Sequence, residues 1–273
     1  MKRICNTILV TGGSSGIGAA VCSMLADDGM TVYAASRSGR SPRPDAPGII
    51  PVCVDINDSA SIISAIGRIK AEKGSLDAIV CCAGNGIGGA IEDTSSEEAR
   101  YQFETNFFGT DNCIKAVLPL FRSQGHGRII TVTSVAGFIP IPYQGYYSSV
   151  KAALDMYMKA LAIECRRFGI QCCSVMPGDV KTGFTSARKR TAASQSPDSP
   201  YYVQSQKSIA KMEHDEQNGM PPSRSARAIK RQLGRKHMKF TVVPRLDYSA
   251  IRVLERLLPT KLLLWAVGLL YDN

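Results

Sequence analysis

The chain has 273 residues, 44% of them hydrophobic and 21% charged, a balance ordinary for a soluble globular protein able to bury a sizeable core. Nine cysteines without a C-x-x-C, and only three histidines to assist them, argue against a metal site or a disulfide scaffold and for reduced thiols packed as small hydrophobes. The net charge of +10 is confined to the last third, since residues 1–180 carry 16 basic and 16 acidic side chains and residues 181–273 carry 17 and 7.

In chain order, Met1, Lys2 and Arg3 precede an apolar run, ILV at 8–10, that TGG stops too early for a signal-peptide core. A cytoplasmic, unprocessed N-terminus is expected. Strand-length apolar runs then recur: TILVTG (7–12), TVYAAS (31–36), IIPVCVDI (49–56), LDAIVCCAG (76–84), GRIITVTS (127–134) and IQCCSVMPG (170–178). Most lack the alternation of a strand wetted on one face. Between them lie segments of helical spacing at 16–28, with Ile17, Val21, Met24 and Leu25 on one side, and at about 58–72, 96–121 and 147–168. Cys81 and Cys82, like Cys172 and Cys173, are neighbours in strand-like runs and point to opposite faces, so neither pair can grip one metal.

Strand alternating with helix predicts an α/β fold, a single doubly wound (Rossmann-type) parallel sheet with helices on both faces. Ligands of such sheets bind beyond the carboxyl ends of the strands. Residues 183–222 differ in character, rich in Ser, Gln, Pro and Lys, and read as a mobile excursion after the sixth strand. A Ser-capped helix at about 223–233 and a last strand, KFTVVP (239–244), return to the sheet. The whole, 1–273, is expected to be one domain, with 245–273 an amphipathic C-terminal extension.

TGGSSGIGAA (11–20) follows the first strand and opens the first helix. Gly12, Gly16 and Gly18 let the backbone turn tightly and approach a ligand, while the free amides of the helix start favour phosphate. No GK[ST] follows, so this is not a Walker loop. At the end of the second strand, where an NAD-binding fold commonly presents a carboxylate to the ribose, this chain has Ser36 and Arg37, a substitution that favours NADP(H) over NAD(H).

These elements together resemble the short-chain dehydrogenase/reductase family, from residue 5 to about 184. TGGSSGIG is similar to its T-G-x-x-x-G-x-G motif, NFFG (106–109) to N-x-x-G, Ser134 in TVTSVAG to the catalytic serine, YSSVK (147–151) to Y-x-x-x-K, PGDVKT (177–182) to P-G-x-V-x-T, and Asp55–Ile56 to the pair that holds the adenine. The resemblance places Gly12, Ser14, Ser15, Gly16, Ile17, Gly18, Arg37, Asp55, Ile56, Ala83, Gly84, Tyr147, Lys151, Pro177, Gly178, Val180 and Thr182 at the cofactor. It departs at one element, where CCAG (81–84) stands for the usual N-N-A-G and two amides become thiols with weak donors.

Tyr146 and Tyr147 both precede Lys151, but only residues four apart share a helix face, which makes Tyr147 the candidate. A phenol near pKa 10 is a poor acid–base catalyst at neutrality, and the Lys151 ammonium is expected to lower it. The resemblance implies that Lys151 also bonds the nicotinamide ribose, that Ser134 orients the substrate oxygen, and that Asn106 holds a water linking Lys151 to solvent. Hydride then passes between nicotinamide and a carbonyl or carbinol carbon.

The resemblance implies that 183–222 forms a lid over the substrate, in which Tyr201, Tyr202, Val203, Ile209 and Met212 are candidates for an apolar wall. VYAASR, VCCAGNGIGG and NFFGT are most similar to the 17β-hydroxysteroid and retinol dehydrogenase branch, which implies a steroid, retinoid, bile-acid-like or long-chain ketone substrate. The C-terminal apolar run 262–270 is about half the ~20 residues that span a bilayer; with Arg252, Arg256 and Lys261 it suits a membrane surface, or packing on its own domain or a second subunit. The resemblance implies a homodimer or homotetramer. The basic residues form no interleaved aromatic platform, so no nucleic-acid partner is expected. Two other classes compete: a non-catalytic NADP(H)-sensing regulator, and a membrane-surface protein acting through its basic C-terminal third.

Overall fold

The computed structural model describes residues 5–271; Met1, Lys2 and Arg3, on which the N-terminal reading rests, fall outside them. In chain order the elements are β1 (Thr7–Thr11), α1 (Gly16–Asp27), β2 (Thr31–Ser36), β3 (Ile49–Cys53), α2 (Ser59–Lys73), β4 (Ala78–Cys81), β5 (Ile87–Gly88), α3 (Ser96–Phe103), α4 (Gly109–Gln124), β6 (Gly127–Val132), α5 (Gly145–Cys165), β7 (Ile170–Val175), α6 (Phe184–Ala187), β8 (Lys189–Arg190), α7 (Tyr202–Gln217), α8 (Pro222–Leu233), β9 (Thr241–Val242), α9 (Leu246–Leu257) and α10 (Thr260–Tyr271).

Seven strands form one sheet in the order β3-β2-β1-β4-β6-β7-β9, and every pair is parallel. The missing alternation in the strand sequences has its cause here, because both faces are covered. On one face Leu9, Tyr33, Ile79 and Ile129 pack against Ile66 and Ile69 of α2, Ile114 and Phe121 of α4, and Met158 of α5. On the other, Ile8, Val10, Val32 and Ile130 meet Val21 and Leu25 of α1 and Ile229 and Leu233 of α8. The paired cysteines divide as their alternation dictates: Cys81 and Cys172 join the first layer, Cys82 and Cys173 the second. All nine cysteines are free thiols.

The strand order reverses between β1 and β4, and the carboxyl ends of β1, β2, β4, β6 and β7 converge on that crevice. Three local readings need correction. The helix expected over 96–121 is interrupted by a π-helical turn at Glu104–Phe108, which widens the ladder at Asn106. The helix expected to carry a serine cap starts instead with Pro222 at its first turn, preceded by Pro221 in extended conformation, with no side-chain cap. The final strand shrinks to Thr241–Val242, paired with β7.

The segment read as a mobile excursion is built. β8 pairs in parallel with β5, and α7 buries Ser205, Ser208, Ile209 and Met212. Val203, expected on the inner wall, is exposed instead. At the C-terminus, Val267 of α10 buries against Val135 and Ile139 in the segment after β6, with Tyr248, Ile251, Leu263 and Tyr271 packed around them. No helix among the described residues is long and apolar enough to cross a membrane.

Candidate active site

The glycine-rich turn between β1 and α1 is dictated by backbone proximity. Gly12 and Gly16 have φ of +66° and +54°, in the left-handed region that side chains disfavour. A Cβ on Gly18 would lie 2.2 Å from the Gly12 carbonyl oxygen, and one on Gly12 would lie 2.8 Å from the Ala83 nitrogen. The loop therefore seats tightly on the end of β4, where Ala83 N–H donates to Thr11 Oγ1 at 3.3 Å. Ser15 caps α1 without a side-chain hydrogen bond, and no acidic residue lies in the first turn. The first amides of α1 thus remain for a phosphate, and the cradle fits a dinucleotide.

Around this cradle, Ser14 and Ser15 lie at the loop surface, while Ile17 packs its side chain into the second core layer. Thr182 faces Gly16, 3.5 Å from where its Cβ would be. Arg37 is exposed just beyond β2. Asp55 Oδ1 accepts from Asn57 N at 3.0 Å, and Ile56 is buried with its carbonyl accepting from Asn112 Nδ2 at 3.1 Å. In the PGDVKT run, the Pro177 carbonyl accepts from Val135 N–H at 3.0 Å. Gly178 lies under the Tyr248 ring, where any Cβ would collide, and Val180 bridges Met220.

The remaining candidates converge at the N-terminal turns of α5. Lys151 is buried, and its Nζ donates to the Val132 carbonyl at 3.2 Å and lies 5.5 Å from the centre of the Tyr147 ring. Burial lowers Lys151 from 10.5 to about 8, because an ammonium loses hydration there. Ser134, two residues past β6, accepts from Ala136 N–H at 3.1 Å and acts on the Tyr147 hydroxyl. Gly84 adjoins both Asn106 and Lys151: its Cβ would stand 2.7 Å from Asn106 Oδ1 and 3.9 Å from Lys151 Nζ. The Asn106 amide nitrogen donates to Asn85 Oδ1 and the Gln102 carbonyl at 2.6 and 3.0 Å, whereas its Oδ1 is buried without a partner.

One electrostatic expectation is reversed. Tyr147 is raised to about 12, chiefly by burial; the Ser134 side chain and the Arg188 charge pull it down, and Glu216 pushes it up. The i, i+4 spacing did bring the Lys151 nitrogen to 5.5 Å from the centre of the phenol ring, but desolvation of the phenolate decides the direction, and the downward pull comes from Ser134 and Arg188.

Sequence reasoning missed five residues of this neighbourhood. The Phe184 ring lies 5.7 Å from that of Tyr147, and the Arg188 guanidinium 5.6 Å from the Phe184 ring. Arg188 pairs with Glu216 at the end of α7, and Thr185 Oγ1 donates to Glu216 Oε2 at 2.6 Å. Gln144, at the start of α5, turns its amide oxygen to Arg188, accepting from Nε at 2.8 Å. The only available signal was the position of Phe184 two residues past PGDVKT.

Among known proteins, the chain is 40% identical over 234 residues to a 3-ketodihydrosphingosine reductase of Bacteroides thetaiotaomicron, 85% of each sequence. It is 32% identical over 241 residues, again 85% of each, to the uncharacterized oxidoreductase YusZ of Bacillus subtilis. Among solved structures it superposes on a short-chain dehydrogenase of Streptomyces avermitilis with TM-score 0.81 and 26% identity over 94% of both chains. A Burkholderia phymatum short-chain dehydrogenase/reductase in complex with NAD gives 0.80 at 22%, over 94% of both, and ElxO with NADP bound gives 0.73 at 23%, over 90% of this chain and 99% of that one. The family model for short chain dehydrogenase matches residues 6–193. That match takes in more than half of the sequence, and with it the chain belongs to the short-chain dehydrogenase/reductase family.

Proposed function

We propose that this oxidoreductase uses NADP(H) to reduce the ketone of a long-chain substrate of the 3-ketodihydrosphingosine type, whose carbonyl lies between an alkyl chain and an amino-alcohol head. The observation that carries the reading is the meeting of Tyr147, Lys151 and Ser134 at the nucleotide crevice in a chain 40% identical to a reductase of that ketone. The long-chain ketone is favoured over a steroid, retinoid or bile acid by that relative. The nicotinamide supplies the hydride.

Tyr147 gives its proton to the carbonyl oxygen as the C=O π bond opens and the carbon takes the hydride. A phenol held near 12 keeps its proton at neutrality, which suits an acid and therefore the reductive direction. Ser134 holds the same oxygen in line, and Lys151, still largely protonated at pH 7, anchors the ribose and renews the Tyr147 proton. The unpartnered Asn106 Oδ1 supports a bound water relaying protons to Lys151.

Arg37, where an acid would otherwise meet the ribose, supports NADP(H) over NAD(H). We assign 183–222 as the lid of a single 1–273 oxidoreductase unit that works in the cytoplasm as a homodimer or homotetramer. Exposed Leu257, Leu264 and Trp265, beside Arg256 and Lys261, support peripheral membrane contact through α9 and α10. The test is conversion of 3-ketodihydrosphingosine with NADPH, followed by mass spectrometry beside steroid, retinal and bile-acid ketones. Formation of dihydrosphingosine ahead of the other products is expected; absence of turnover with every ketone defeats the reading.

A further inference from the structure

Arg188 joins three elements at the substrate side of Tyr147. It precedes β8 in the lid, pairs with Glu216 at the end of α7, and is held by Gln144, three residues ahead of Tyr147. Its side chain is only 1% exposed. A guanidinium carries five N–H donors in a fixed fork. Gln144 takes Nε and Nη2 at 2.8 and 3.2 Å, and Glu216 takes the other Nη2 donor. Nη1 is buried with no acceptor.

A buried charged donor left unpaired is costly, and natural structures seldom keep one without use. Three of the five donors serve only to fix the fork, with Glu216 itself fixed by Thr185. The guanidinium stacks on Phe184, which in turn lies against Tyr147, at centroid distances of 5.6 and 5.7 Å. Arg188 therefore sits one aromatic ring away from the phenol. The charge reaches Tyr147, where it opposes the effect of burial.

We propose that Arg188 is the specificity-determining residue of this enzyme, donating from Nη1 to a neutral oxygen, a hydroxyl or carbonyl, borne by the substrate close to its reacting ketone. Neutrality follows from charge balance. Glu216 already compensates the guanidinium, so a carboxylate would bring an uncompensated charge into a buried site, while a hydroxyl supplies the missing acceptor at no charge. The inference rests on the reductase reading above and names the part of the substrate that the site reads. A ketone whose α-carbon carries a hydroxymethyl group, as in the amino-alcohol head, satisfies it; a bare alkyl ketone leaves the donors unpaired.

The experiment compares two ketones of equal chain length in the same mixed micelles, 3-ketodihydrosphingosine and unsubstituted octadecan-3-one, with NADPH binding measured alongside. In the double variant Arg188→Met/Glu216→Gln, which removes both buried charges together, KM for the hydroxylated ketone is expected to rise about 10- to 100-fold. KM for octadecan-3-one and the NADPH Kd stay within about twofold. Arg188→Lys, which keeps a cation beside Glu216 but loses the fork, gives the same selective loss and stands in should the double variant not fold. Equal losses on both ketones identify a purely structural ion pair and overturn the proposal, as does no loss on either. A wild-type enzyme that reduces both ketones equally well overturns it while leaving the reductase reading intact; one that reduces neither defeats both.

Discussion

Replacing Lys151 by Met separates what the site needs from what the fold prefers. Burial brings this lysine from 10.5 down to about 8. At about 1.4 kcal/mol per pKa unit, holding its ammonium form in the folded chain at neutral pH is unfavourable by about 3 kcal/mol. Methionine keeps the stem and removes the charge, but leaves the Val132 carbonyl without its 3.2 Å partner, a loss of about 1 kcal/mol. The nucleotide-free variant should therefore be more stable than wild type by about 2 kcal/mol at pH 7, a rise in Tm of about 4–8 °C for a chain of this size. The pH dependence has a definite sign. Below 8 the lysine is protonated in both states and the penalty is complete. Between 8 and 10.5 the unfolded chain keeps a proton that the folded one has released, so wild type gains stability as pH rises and the advantage of the variant disappears. Denaturant unfolding of both proteins from pH 7 to 10.5 measures this. A variant less stable than wild type at pH 7, by the same margin at every pH, would refute the argument.

Arg37→Asp should weaken NADPH relative to NADH by at least tenfold in kcat/KM; an unchanged ratio removes Arg37 from the 2′-phosphate. Gly18→Ala, whose Cβ would lie 2.2 Å from the Gly12 oxygen, should lose about 1–3 kcal/mol of stability together with NADPH affinity. Gly67→Ala, in the middle of α2 with nothing within 4 Å of its Cβ, should instead gain about 0.5–1 kcal/mol, and chemical denaturation compares the two. In native protein at pH 8, iodoacetamide should label Cys53, the exposed thiol, while Cys22, Cys172 and Cys173, each pushed up to about 12 by burial, react only after denaturation. Peptide mapping that finds Cys172 alkylated as fast as Cys53 contradicts the packing.

The sheet was legible because parallel strands buried on both faces read as unbroken apolar runs, and β1 through β7 of the main sheet fall inside those runs. Tyr147 and Lys151 were legible because i, i+4 geometry is local. The order of segment 183–222 was not: the inward face of α7 mixes Ser205 and Ser208 with Ile209 and Met212, so its composition imitates a solvated loop. The Arg188–Glu216 pair is 28 positions apart in sequence, a contact that no spacing rule foretells. The direction of the Tyr147 shift failed for a related reason, since sequence displays the neighbouring ammonium but not the burial that opposes it. Pro221 and Pro222 began α8 by fixing φ, where a serine side chain was expected to do so by hydrogen bonding.

The central claim is that Tyr147 delivers the proton. Tyr147→Phe keeps the ring packed against Phe184 and removes only the hydroxyl, so NADPH oxidation with the preferred ketone should fall by about 10²- to 10⁴-fold while fluorescence titration gives an unchanged NADPH Kd. Turnover within a few-fold of wild type, with the same cofactor affinity, would contradict it.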